Sequence, residues 1–461
     1  MGLFRSYSSK DSWITNRILG NDVTVKSTGS NHGLSPSLNV FSDDTGLPSG
    51  TLGLARSLIQ FDITELSGKI YDEGVVPSSS VNYVLSMFDL VHGDTIPESF
   101  DLFVFPLSRS WDEGKGLDDD RDRDRGAVNW IQPTSTESWL VTGSDFLSVG
   151  FGSASQHFDR GSENLEVDIT DIVVNWLTGA IENNGLIVKL GNVEESGTSG
   201  SYFRKAFHSR ETKFIDRLPY VEARWNDVIK DNRKNFAYDA ESFLYLYNFV
   251  RGELEDLSEP VTVTLRDHSV SVSSSYEQDF VAQRVSTGIY AMSASISCSA
   301  SFSSSWVDIW HSGSRAYMTG TFNPLVLTSS IVDQYDEFDI AVTNLRAVYG
   351  VDEEARLIVS VRKRDYVTHR GFVTSGSLDM EREYIEKLYY SVENDETGEV
   401  VVSYGTGSVP HTQLSYNGDG NYFNICMKSF VPGFRYRLKF LIDINRYDKK
   451  IIDDNFTFKV V

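Results

Sequence analysis

Short runs rich in β-branched and aromatic residues recur along the whole chain, each bounded by clusters of Gly, Asn, Asp, Ser and Pro, and this pattern predicts strands. In the first half they are Ser57–Ile63, Val81–Met87, Phe100–Phe105 and Gly185–Leu190. Several alternate apolar with polar positions, as half-buried antiparallel strands do. One stretch has the helical period instead. In Asp168–Gly179, Ile169, Ile172, Val173, Trp176 and Leu177 share a face, Asp168 or Thr170 can cap the start, and Gly179 can end it.

The chain turns polar over Arg224–Asn235, directly after a strand, and the first domain boundary is placed there. Beyond it, Phe243–Gly252, Val261–Leu265 and Gly288–Cys298 read as strands, the last of them paired with Ala316–Phe322 in a small Ig-like sandwich. After Val332 the pattern restarts with Phe338–Val342, Arg356–Val361, Tyr436–Ile444 and Phe456–Val460. The segment Leu378–Leu388 reads either as a short helix or as extended chain running into Tyr389–Val392. No fixed period repeats, which disfavours a solenoid or a propeller. The expected fold class is all-β and multi-domain: a β-sandwich with an N-terminal arm over residues 1–226, an Ig-like domain with its connector over 227–335, and a C-terminal β-sandwich over 336–461.

Composition agrees with several cores, since 40% of the 461 residues are apolar and 12% aromatic. Charge narrows the partners. With 65 acidic against 42 basic residues the chain carries −23, which repels a phosphate backbone and an anionic membrane surface alike, so neither nucleic acid nor membrane is expected. No apolar run approaches the ~20 residues of a membrane span. The N-terminal MGLFRSYSSK has no apolar region of the signal-peptide kind, so secretory export is not expected either. The two cysteines, Cys298 and Cys426, lie in strand-like runs and are expected to be buried free thiols, as suits a reducing cytoplasm.

Candidate chemistry is sparse. The run Asp118–Gly126 invites a calcium reading through Asp118, Asp120, Asp122 and Asp124, but counted from Asp120 the sixth position is Arg125 and the twelfth Ile131, where an EF-hand needs Gly and Glu. Interleaved arginines point to a self-paired surface loop, so no metal and no cofactor are expected, and a chelator should leave the melting temperature unchanged. None of the 8 histidines falls in a zinc or metalloprotease spacing, and there is no Gly-x-Ser-x-Gly elbow, P-loop or dinucleotide fingerprint. An enzyme is not expected.

A series of blocks carries a family resemblance: Arg56–Asp62, the Ser110–Gly116 block with Trp111, Glu113 and Gly114, Val128–Trp130, Trp139, Gly143–Asp145, Val167–Thr170 leading to Trp176, Phe207–Glu211, and Arg217–Glu222. In this order and spacing, over about half the chain, they resemble the DNRLRE-type β-sandwich domain, a jelly-roll module related to carbohydrate-binding modules. The opening Arg5–Ile14, the stretch Asn31–Leu38, the connector Asp231–Asn248 and the ending Pro432–Phe456 are similar to large-phage virion proteins that carry such a module. The resemblance implies a structural component of a tailed-phage virion, in the neck, tail or baseplate region, assembled in the host cytoplasm with other virion proteins and as a symmetric homo-oligomer. The other reading it leaves is glycan binding, with Trp111 and Trp130 as a stacking platform against their more conservative role as core. The arm before Arg56 also has two readings: an assembly anchor that docks Phe4, Tyr7, Trp13 and Ile14 into a neighbour, or the first strand of the jelly roll.

Overall fold

The computed structural model of the chain describes residues 2–19, 26–44, 52–93, 96, 98–119, 124–196, 203–268, 276–299, 305–326, 338–363, 384–445 and 448–461. They form an all-β, multi-domain protein with short helices only. Contacts divide the chain into two compact units, one of residues 3–68 and 80–224, the other of residues 69–79 and 225–461 with the first two residues.

The first unit is built on ten antiparallel strands. Leu3–Thr15 is the longest of them and serves two partners. Its Leu3–Tyr7 half pairs with Tyr220–Arg224, and after a register shift between Ser8 and Lys10 its second half pairs with Ala55–Phe61. A shift of this kind bends a strand and lets it pass from one sheet to another, which makes a sandwich corner. Phe4, Trp13 and Ile14 are buried there and Tyr7 is partly buried against Tyr220. The anchor reading of the arm is therefore replaced by the strand reading, because alternate side chains of a central strand are consumed by the core of their own sandwich.

The helical stretch is a helix over Thr170–Leu177, with Ile172, Val173 and Trp176 buried. Its first residue, Thr170, donates its backbone N–H to the Asp168 carboxylate at 2.8 Å, and Gly179 follows the end at φ +73°. A second helix, Thr64–Tyr71, is not apparent from periodicity. Its signal was the capping carboxylate of Asp62, which accepts the Thr64 N–H at 2.9 Å.

In the second unit a three-stranded sheet (Ser242–Tyr247, Ile289–Ala294, Gln283–Ser286) and a four-stranded sheet (Glu277–Val281, Val261–Asp267, Trp306–Ser312, Arg315–Phe322) share one core. Trp306 and Trp310 fill its centre, their indole N–H groups donating to Tyr238 Oη at 2.8 Å and to Asp308 Oδ2 at 2.7 Å. Two expectations are corrected here. Ile289–Ala294 pairs with Ser242–Tyr247 and not with the 316–322 strand, which instead closes a hairpin with Trp306–Ser312 through Gly313 at φ +58°. A nearby turn costs less chain entropy than a distant pairing of equal pattern. Cys298 is exposed and Cys426 partly buried, because the Ile289–Ala294 strand ends before Cys298 is reached.

The remaining residues of this unit form a sheet of Phe338–Val342, Glu354–Lys363, Gly420–Cys426 and Ser415–Asn417, and another of Val348–Tyr349, Asp448–Val460, Arg435–Asn445, Leu388–Asn394 and Val400–Val402. The connector is tied to Ser415–Asn417 by a single parallel bridge at Lys230: Tyr416 donates its N–H to Ile229 O at 3.0 Å and Asp231 returns one to Tyr416 O at 3.1 Å. Residues 378–383 and 327–337, where the ambiguous segment begins and where the second expected boundary falls, lie outside the described residues. From Tyr384 the chain makes a turn into the Leu388–Asn394 strand.

Candidate functional site

The sequence blocks far apart in the first unit meet around one partly buried ion pair. Arg210 reaches both oxygens of Glu113 from Nη2 at 2.9 Å, the Asp11 N–H donates to Glu113 Oε1 at 2.8 Å, and the Arg210 N–H donates to Asp11 Oδ2 at 2.6 Å. Asn31 ties in the turn after Glu113, donating to Glu113 O at 2.7 Å and accepting the Gly116 N–H at 2.8 Å. Gly116 passes so close that a Cβ there would stand 2.0 Å from Asn31 O. Ser209 donates to Ser35 O at 2.6 Å, and His208 Nδ1 lies 2.9 Å from Thr212 Oγ1. Ser209 and Arg210 thus tie the His208–Glu211 block to segments distant in the chain.

Asp11 is the strained member. Burial pushes its carboxyl up to about 7, the Glu113 charge adding to the shift while the Arg210 N–H and guanidinium oppose it. Below about pH 4 the carboxyl is protonated in folded and unfolded chains alike. Between that and about 7 the unfolded chain ionises first, so rising pH erodes stability, and above about 7 the penalty is constant. Asp11→Asn keeps the acceptor for the Arg210 N–H and removes the charge. Its melting temperature is expected to exceed that of the wild type by a few degrees at about pH 8 and to match it at about pH 3. An equal difference at both pH values would show that Asp11 is not the titrating group.

Trp111 and Trp130, the candidate glycan platform, are core residues. They are 1% and 7% exposed and pack with Trp139, Ile14, Leu58 and Ile187. Cations cover the rings: Lys10 Nζ stands 4.5 Å from the Trp111 ring centroid and the Arg56 guanidinium 5.0 Å from that of Trp130. Arg56 is itself fixed by Glu195, at 3.0 and 2.8 Å, and by Gly143 O at 2.6 Å. Stacking on a sugar needs an open ring face, and neither indole has one, so the platform reading of these two residues is corrected to packing.

Above the same tryptophans the chain does expose apolar groups, and it holds them rigidly. The Asp145 carboxylate accepts the N–H of Leu140 and of Val141, both at 2.9 Å, while Trp139 is anchored below by its indole N–H to Asn129 O at 2.8 Å. Leu140 and Val141 are consequently thrust outward, 81% and 68% exposed. A second tip lies in the other unit, where Phe249–Val250 and Glu253–Leu254 form a tight hairpin across Arg251 at φ +54° and Gly252 at φ +95°. Phe249 at this tip is 62% exposed. Phe243–Gly252, expected as one strand, is two, Ser242–Tyr247 and Phe249–Val250. The Arg251-Gly252 dipeptide was the missed turn signal, and for Leu140-Val141 the signal was an apolar pair amid Thr, Gly and Ser.

Of the proposed calcium ligands, Asp120 and Asp122 lie outside the described residues. Asp124 is occupied with its own loop, accepting the Lys115 N–H at 3.1 Å and the Gly126 N–H at 3.3 Å. Asp119, beside Asp118, stands 3.1 Å from Nε2 of the buried His32, which stacks on Trp13. A Ser/His/Asp juxtaposition occurs on the surface, with Ser99 Oγ 3.5 Å from His157 Nε2 and His157 Nδ1 2.9 Å from Asp101 Oδ1. The same Nε2 faces Asp159 at 3.5 Å, and the ring is half exposed. At 3.5 Å from Ser99 Oγ and equally far from Asp159, Nε2 is not committed to the serine in the geometry that activating a nucleophile needs.

No family model matches the chain. No curated protein matches it either. Among solved structures it aligns with a chimeric titin Z1Z2-Z1Z2 tandem, 14% identical over 52% of this chain and 97% of that one, with a TM-score of 0.16. The N-terminal Ig1-2 module of the Drosophila receptor protein tyrosine phosphatase DLAR aligns at 8% identity over 50% and 95%, with a TM-score of 0.16. Trypsin-activated alpha-2-macroglobulin from Escherichia coli aligns at 8% identity over 87% of this chain and 23% of that one, with a TM-score of 0.15. Similarity at this level carries no inference about function, and the all-β class rests on the sheets themselves.

Proposed function

We propose that this protein is a non-enzymatic structural component of a tailed-bacteriophage virion, in the neck, tail or baseplate region, acting by protein–protein assembly. The order of sequence blocks supports the reading, and the structural observation that carries it is the pair of rigidly presented apolar tips, Leu140-Val141 and Phe249. An apolar side chain held outward by a pinned turn loses little entropy on docking, which is what a subunit needs when net repulsion at −23 opposes indiscriminate contact. The partners are other virion proteins with pockets for these tips. The glycan reading keeps no residue of its own, since the indoles that would serve it are packed inside.

In purified particles the chain is expected at a fixed copy number. A variant combining Leu140→Glu, Val141→Glu and Phe249→Glu is expected to lose at least about tenfold in incorporation while its melting curve stays within about 1 °C of the wild type, since exposed positions contribute little to folding. Quantitative mass spectrometry of the particles reads the first and thermal unfolding the second. Absence of the wild-type chain from the particles, or normal incorporation of the triple variant, would overturn the proposal.

A further inference from the structure

The four-stranded sheet of the middle sandwich ends on Arg315–Phe322, a strand of 8 residues that pairs with Trp306–Ser312 on one side and with no other strand among the described residues on the other. Proteins ordinarily guard such an edge with charge, proline, a bulge or a short length. Over Ala316–Phe322, whose sequence is AYMTGTF, this one has neither charge nor proline, and its one irregularity is a register shift at Tyr317 that leaves Met318–Phe322 regular. Met318 packs on the core and Phe322 is buried, while Tyr317, Thr319 and Thr321 are exposed, an aromatic and two β-branched residues suited to a cross-strand neighbour. Gly320 is not an edge breaker. A Cβ there would stand 2.2 Å from Arg233 Nη1 and 2.6 Å from Asp308 Oδ1, so the glycine makes room for the Arg233–Asp308 pair, 2.6 Å apart, that runs beneath the strand.

Charge identifies the occupant. In a chain of −23 most approaches between two copies bring carboxylates together. The opposite edge of the same sheet, Glu277–Val281, carries exposed Glu277 and Asp279, and the edge strand Phe338–Val342 carries Asp339. Residues 315–322 hold no acidic side chain, and their one charge, Arg315, lies at the end. We infer that Arg315–Phe322 is a self-association edge, pairing antiparallel with the same strand of a second copy about a twofold axis. In the register centred on Thr319, Met318 of one copy faces Gly320 of the other and Tyr317 reaches Thr321, while Arg315 lies beyond the shift at Tyr317, so no like charges meet. The two four-stranded sheets become one continuous sheet across the dimer. This deepens the assembly reading by naming the contact between copies, and it is distinct from the apolar tips, which face other proteins.

Sedimentation of the full chain tests the inference, because it needs no virion and so fails separately from the assembly role. The wild type is expected to show a monomer–dimer equilibrium between about 1 and 100 µM, as befits a contact of one strand per copy. Thr319→Glu and Thr319→Lys each set a like charge against itself across the twofold and are each expected to weaken association at least about tenfold. Mixing the two variants places Glu opposite Lys and is expected to restore the dimer. Thr319 is exposed, so unchanged melting curves for both variants are expected to accompany the loss. A wild type that is monomeric over the whole range, a dimer indifferent to both substitutions, or a mixture that fails to recover overturns it.

Discussion

Replacing Asp89 by alanine is expected to lower the unfolding free energy by about 3–5 kcal/mol, the usual consequence of stripping one partner from a buried ion pair. The reason is the position of Lys205. Its side chain has no exposed surface, and its ammonium donates to Asp89 Oδ1 at 2.5 Å, Gly161 O at 2.7 Å and Glu163 O at 2.7 Å. The rings of Phe158 and Phe207 stand 5.1 and 5.2 Å from it. Three acceptors match the three donors of an ammonium, so the group is satisfied as it stands. Burial already pulls the lysine pKa down against the opposing hydrogen bond and charge of Asp89. Without Asp89 the charge would face apolar rings with two carbonyls alone. Urea unfolding of Asp89→Ala reads the loss, and the double variant with Lys205→Met is expected to be less destabilised than the sum of the singles, because the second change removes the stranded charge. A loss under about 0.5 kcal/mol would mean that water replaces the carboxylate.

Trp111→Ala is expected to cost about 3–5 kcal/mol as well, through a cavity among Ile14, Val128, Trp130, Trp139 and Ile187. It also removes the indole N–H bond to Asn184 O at 3.0 Å and the ring under Lys10, leaving a buried carbonyl without its donor. Trp111→Phe refills most of the volume and is expected to lose clearly less. The comparison separates packing from ligand binding. If Trp111 were a sugar platform, alanine would leave the urea midpoint unchanged and abolish glycan retention, whereas the buried site predicts the reverse order of effects.

The sequence by itself determined many of the elements, though not the Thr64–Tyr71 helix or the Phe249–Leu254 hairpin. Alternation or apolar density placed strands at Val81–Met87 and Phe338–Val342, and a 3.6-residue period placed the helix at Thr170–Leu177, because backbone geometry maps directly onto these local spacings. What only the tertiary structure decided is neighbourhood. Period two says that a strand has a buried face and not which strand lies beside it, so Ile289–Ala294 could find Ser242–Tyr247 across a long loop while Arg315–Phe322 took the nearer hairpin partner. Exposure is equally non-local. Phe4, Trp13, Trp111 and Trp130 carry no mark that distinguishes a core ring from a docking ring, and their burial follows from strands and cations that arrive from elsewhere in the chain. Leu140, Val141 and Phe249 face solvent for the converse reason: a carboxylate or a two-residue turn fixes their backbone with the side chains turned outward.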